Sequence, residues 1–344
     1  AGSGLGRAGG DRAVGDRRGP LGNRHRVVLG DVVPRDRVEV PERDPVFGAF
    51  GAVEAQRHRG HAGRHRPQRR VAANAQLGER VDRVQRVGLE RAFSDAAAFG
   101  YDFIELWGGR PHAYAPDLLS GGLAELRRLM ERYAMPVRVY TPEHNAYPYN
   151  YMLGSDTQWA DCVSYLSDAI RAGASLGAEY TLISVGHGGG APYPARWQRL
   201  LKTLHALSRA AEDAGHKLLL ETLTPYESNT CTTLSELMLA LREIESPCLF
   251  GMCDLVAPFT QNEDPADYVR KLGNNMRHLH LVDSDGVSDT HLIPGDGAMP
   301  LASILRDMRA AGYDGTATIE LVTNYIDRPS EAALLALSRA KELL

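Results

Sequence analysis

From about residue 89 onward, short apolar runs alternate with amphipathic stretches, at a spacing that suits parallel strands joined by helical crossovers. The runs are FIELW (103–107), VRVYTPE (137–143), YTLISV (180–185), LLLETL (218–223), FGMCDLV (250–256), MRHLHLVD (276–283) and TATIELV (316–322). Between and after them lie patterns with apolar residues at three- and four-residue spacing. Examples are 123–134, 161–177, 196–215, 234–244, 301–312 and 331–344. Gly100, Gly177, Gly215 and Gly312 supply helix stops. Seven strands and eight helices in roughly 255 residues predict a (β/α)8 barrel whose first strand is absent or unrecognisable. An open doubly wound sheet fits less well. No G-x-G-x-x-G follows the early strands, and GHGGG (186–190) has the wrong spacing. The place of the first strand falls near 77–87, where LGERVDRVQRV carries charges throughout.

Composition divides the chain at the same point. Residues 1–80 hold 16 Arg, no Lys and 9 acidic residues, close to +7. They contain no Ile, Thr, Tyr, Trp, Met or Cys, and 14 of the 35 glycines. So little large apolar surface does not offset the entropy of ordering a backbone. Residues 1–80 therefore read as a disordered Arg/Gly-rich segment, or as GC-rich DNA translated in a wrong frame, ahead of a barrel over 81–344. A nucleic-acid-binding arm is disfavoured, because acids interleave the arginines and only Phe47 and Phe50 offer a stacking ring. The remaining 264 residues hold 23 basic and 34 acidic groups, a balance of −11. No uncharged apolar run approaches 18 residues, the start lacks the apolar core of a signal peptide, and four cysteines show no paired spacing. These features predict a cytoplasmic protein with no membrane partner and no nucleic-acid partner.

Barrel chemistry gathers at the C-terminal ends of strands. There LLLE ends at Glu221, FGMCD at Asp254, RHLH at His280 and TATIE at Glu320. Three carboxylates brought together in a barrel mouth repel, and a divalent cation relieves that repulsion. Three carboxylates with one imidazole suit Mn2+, Co2+ or Mg2+. His278 and His280 share a face, so spacing alone leaves either as the ligand. Cys253 points to the opposite face from Asp254, toward the helices. Glu105, Glu143 and His187 also stand at strand ends, where each either lines a substrate pocket or serves structure.

The segments GYDFIELWGGRPHAYAPDL, YTPEHNAYPYNYMLG, YTLIS, ETLTPYESN, RHLHLVDSDGVSDTHLIPGDGAMPL and ELVT carry a closer likeness. Over roughly 89–343 the chain resembles the fructoselysine 3-epimerase branch of the xylose-isomerase-like TIM-barrel superfamily. The resemblance implies a metal held by Glu221, Asp254, His280 and Glu320, and chooses His280 over His278. It implies substrate contact at Glu227, which joins Glu105 and His187 as substrate-binding candidates. Tagatose- and psicose-type 3-epimerases carry a histidine three residues after the metal-binding Asp. Ala257 stands there instead, which argues against a free ketohexose and agrees with the fructoselysine branch.

The implied reaction inverts C3 of a ketose derivative of the fructoselysine/psicoselysine type through a cis-enediolate, with Glu221 and Glu320 as acid and base. The alternatives are an aldose–ketose isomerase or a ketohexose 3-epimerase of the same superfamily. A metal-dependent endonuclease is disfavoured by the acidic barrel, and a non-catalytic binding protein has no need of four ligands at strand ends. The expected partner is a small sugar or sugar-amine, and the group tends toward homo-oligomers.

Overall fold

The computed structural model describes residues 71–74 and 88–344. Eight parallel strands form a closed barrel in sequence order. They are β1 (Val71–Asn74), β2 (Phe103–Gly108), β3 (Val137–Pro142), β4 (Tyr180–Ser184), β5 (Leu218–Glu221), β6 (Leu249–Asp254), β7 (Met276–His280) and β8 (Thr316–Ile319). The helices around them are α1 (Leu89–Phe99), α2 (Leu123–Tyr133), α3 (Asp156–Leu176), α4 (Tyr193–Asp213), α5 (Leu234–Ile244), α6 (Pro265–Leu272), α7 (Leu301–Ala310) and α8 (Pro329–Leu343). Among the described residues, no helix is long and apolar enough to cross a membrane.

The seven strands expected from apolar runs are all present. The first strand is a correction to where the sequence pointed. It is Val71–Asn74, upstream of residue 80, and it closes the barrel by pairing with both β2 and β8. VAAN is four residues long with two alanines, too short and too small-sided to show an apolar period beside its arginines. The stretch 77–87 lies outside the described residues, as does the rest of 1–80.

Local sequence sets the helix ends. Before α3, the Ser155 hydroxyl accepts from Gln158 N–H while the Gln158 side chain accepts from Ser155 N–H at 2.8 Å, a capping box. Thr233 and Asp264 cap α5 and α6 in the same way, each side chain accepting a backbone N–H of the first turn.

Alternation along each strand then sorts the side chains. Leu218, Leu220, Cys253, Leu279, Ala317 and Ile319 pack outward in the large core between sheet and helices. Val139, Tyr180, Leu182, Leu219 and Met252 form a separate apolar cluster inside the barrel. Glu221, two residues after Leu219, and Asp254, two after Met252, inherit that inward direction at the C-terminal rim. Cys253 is fully buried on the helix side, as the spacing predicts.

Candidate active site and metal centre

Four neighbouring strands each deliver one ionisable side chain to the rim. Glu221 ends β5, Asp254 ends β6, His280 ends β7, and Glu320 follows β8 directly. Asp254 and His280 are register partners, which sets them side by side. All four are buried, between 2% and 7% exposed, and one donor atom from each lies within 4.8 Å of the others. His280 Nδ1 is 2.8 Å from Glu320 Oε2, 3.1 Å from Glu221 Oε1 and 3.4 Å from Asp254 Oδ2. None of these approaches has hydrogen-bond geometry, and Nδ1 is a buried atom without a hydrogen-bond partner. The other ring nitrogen, Nε2, faces the Glu105 carboxylate at 3.2 and 3.3 Å.

That arrangement fits a divalent cation. With its proton on Nε2, the imidazole turns the Nδ1 lone pair toward three carboxylates, and a positive charge among them satisfies all four donors. Asp254 is oriented for this by the Val256 N–H, which donates to its Oδ1 at 2.8 Å from the first turn of a short helix, Val256–Thr260.

The protein's own charges separate the two glutamates. Burial, reinforced by Glu320 and Asp254, outweighs His280 and pushes Glu221 up to about 7. Burial also raises Glu320, but His280 and His291 outweigh it and hold that carboxyl well below the usual carboxylate range. Burial lowers His280, whereas Glu105, Glu320 and Glu221 together drive it well above the ordinary histidine value.

A cavity of about 280 Å³ opens over the four donors. Its wall includes Trp107, Glu143, Asn145, Glu227, Asp289 and His291. Trp107 Nε1 donates to Glu143 Oε2 at 2.7 Å, which fixes the indole edge over the mouth. Burial, with Asp289 and Glu221 nearby, pushes Glu227 up to about 8. Ala257 also lines the cavity, so the position three after Asp254 contributes space.

His291 is a site residue that the sequence reading did not single out. Its Nε2 lies 3.7 Å from Asp254 and 3.6 Å from Asp289, and its Nδ1 3.5 Å from Glu320. It belongs to the connection after β7, which shows no period. That loop is held by Asp283, whose carboxylate accepts from the backbone N–H of Ser284, Gly295 and Met299. An antiparallel bridge between Asp283 and Leu292 holds it too. The available signal was a histidine two residues from an aspartate in a long loop at the barrel mouth.

Two of the three substrate-binding candidates sit elsewhere than expected. Glu105 is the third residue of the six in β2, below the cavity, and is fully buried among His278, His280 and Thr141. His187 is exposed and does not line the cavity, and its Nδ1 accepts from Gly189 N–H. Glu227 lies on the cavity wall.

Fold and site together define a (β/α)8 barrel with a buried carboxylate-and-imidazole donor set at the C-terminal mouth. Residues 93–341 match the family model described as the xylose isomerase-like TIM barrel, and the chain belongs to that family. It is 48% identical over 261 residues to the fructoselysine 3-epimerase of Shigella flexneri, covering 76% of this chain and 95% of that protein. Identity to the fructoselysine 3-epimerase of Escherichia coli O157:H7 is 47% over the same coverage. A solved D-tagatose 3-epimerase-like protein superposes with a TM-score of 0.67 at 21% identity, over 80% of this chain and 96% of that one, a likeness of fold.

Proposed function

We propose that the protein is a divalent-metal-dependent epimerase that inverts C3 of a ketose derivative of the fructoselysine/psicoselysine type. The observation that carries this reading is the donor set of Glu221, Asp254, His280 and Glu320 beneath a sugar-sized cavity. The 48% identity to a fructoselysine 3-epimerase supports it. Mn2+, Co2+ or Mg2+ suits these donors and, when bound, supplies Lewis-acid charge to the oxygens of a 2-keto sugar.

The chain's own groups then perform the proton chemistry. Glu221 and Glu320 stand on β5 and β8 with two strands between them, so they reach a substrate seated over the mouth from different sides. One carboxylate removes the C3 proton, leaving a cis-enediolate, and the other returns a proton to the opposite face, which inverts the centre. Their separated protonation tendencies suit one group to give a proton while the other accepts.

The wall supports the amine-bearing substrate. Beyond the donor set it keeps Glu143 and Asp289, acids that suit a cationic amino group at C1 more than a neutral ketohexose. Ala257 leaves room for the extra chain.

Proton NMR in D2O with fructoselysine and added Mn2+ or Co2+ tests the reading. Wild type washes deuterium into C3 and forms the C3 epimer, while Glu221→Gln and Glu320→Gln lose exchange by roughly 100-fold or more. Deuterium at C1 or C2, with an aldose product, establishes an isomerase instead. Undiminished C3 exchange in both variants refutes the acid–base assignment.

A further inference from the structure

Glu105 is a full carboxylate in the barrel interior, 0% exposed, with no access to the cavity. It reaches from β2 to β7, strands that are separated in the sheet by β8 and β1. An uncompensated anion so placed costs several kcal/mol, so its partners define its role. Oε1 accepts the Thr141 hydroxyl at 2.6 Å, and Oε2 accepts His278 Nε2–H at 3.0 Å. The carboxylate, which only accepts, requires that proton on His278 Nε2, where the Thr318 hydroxyl also lies at 3.0 Å, and leaves Nδ1 to accept from the Thr316 hydroxyl at 2.7 Å. Both Glu105 oxygens also lie within hydrogen-bond reach of His280 Nε2.

His280 therefore has only one tautomer compatible with its surroundings. A proton on Nδ1 would turn the Nε2 lone pair onto the Glu105 anion and block the nitrogen that faces Glu221, Asp254 and Glu320. A proton on Nε2 satisfies Glu105 and frees Nδ1 as a donor. We propose that Glu105 is the positioning residue of the cation site. Anchored by Thr141 and His278, it holds His280 in the Nε2–H tautomer and presents Nδ1 to the three carboxylates. This rests on the metal-dependent reading above, and assigns to Glu105 cation affinity in place of substrate contact.

The test measures the Mn2+ dissociation constant by EPR of free Mn2+ for wild type, Glu105→Gln and Glu105→Leu, with far-UV circular dichroism as the folding control. Alongside it, 15N–1H correlation spectra of the Mg2+-loaded proteins report whether His280 carries its proton on Nε2 alone. Glu105→Gln keeps shape and one acceptor and weakens Mn2+ binding about tenfold. Glu105→Leu removes both acceptors and weakens it about 100-fold, with loss of the pure Nε2–H tautomer. A merely structural Glu105 would lower the melting temperature and leave the affinity and tautomer of the folded protein unchanged. Mn2+ affinity within twofold of wild type in folded Glu105→Gln overturns the proposal, and this variant decides alone if Glu105→Leu does not fold. A wild-type chain that binds neither Mn2+ nor Co2+ overturns the metal reading itself, a different result from unchanged affinity in the variants.

Discussion

Replacing Glu221 by Gln should stabilise the metal-free protein and destabilise the metal-loaded one. The unfolded chain titrates this carboxyl near 4.5, whereas the folded barrel, through burial and then the neighbouring Glu320 and Asp254, raises it to about 7. A carboxyl raised on folding binds its proton more tightly in the native state. It therefore subtracts stability as pH climbs from 4.5 to 7, and the full penalty is present above 7. At about 1.4 kcal/mol per pH unit the penalty is about 3 kcal/mol at pH 8. The isosteric neutral amide removes it, and roughly 2–4 °C per kcal/mol in a domain of this size converts that to a melting point about 6–12 °C higher in EDTA. With Mn2+ the order reverses. Wild type gains about 4.1 kcal/mol at a free ion concentration about 1,000-fold above its dissociation constant, more than the penalty of about 3 kcal/mol, while the variant, having lost one of four donors, gains little. Differential scanning calorimetry at pH 8, with EDTA and then with Mn2+, reads both signs, and repetition at pH 5 should shrink the EDTA difference to a small remainder. A variant that melts below wild type in EDTA at pH 8, or a difference indifferent to pH, would refute the argument.

Two further outcomes follow from the geometry. Asp289→Asn should raise KM for fructoselysine roughly fivefold, equivalent to about 1 kcal/mol for a partly exposed charge, and leave KM for a neutral ketohexose unchanged in parallel steady-state assays. Gly173→Ala in α3 would place a Cβ 2.4 Å from Thr181 Oγ1 and 3.2 Å from His216 Nε2, so helix and strand must part. A loss of about 1–3 kcal/mol in urea unfolding is expected, with the Mn2+ affinity of the folded protein unaltered.

The parts of this molecule that are periodic were legible in its sequence, and those fixed by distant contacts were not. Glu221, Asp254, His280 and Glu320 each end or follow an apolar run, and strand alternation fixes their inward direction. The outward placement of Cys253 followed from the same rule. β1 escaped because a four-residue strand with two alanines carries no pattern, and its place is set by pairing with β2 and β8. His291 escaped because its loop is shaped by the Asp283 carboxylate and not by any repeat. Glu105 was correctly assigned to a strand but placed at its end. β2 continues past it through Leu106, Trp107 and Gly108, each paired with β3, and this extension puts the carboxylate a layer below the cavity.

The seam of the barrel has a consequence for its assembly. Adjacent strands elsewhere in the sheet are joined by a single crossover, but Val71 must meet Ala317, almost the whole barrel later in the chain. Contacts of such sequence separation form slowly, because the intervening chain must first be arranged. The four donors stand on β5 to β8, already neighbours without β1. Until the seam closes, β1 and β8 each present an unpaired edge, the kind of surface on which chains associate with one another. The short strand Val71–Asn74 thus governs how long the nascent barrel is exposed to aggregation, while contributing none of the four donors itself.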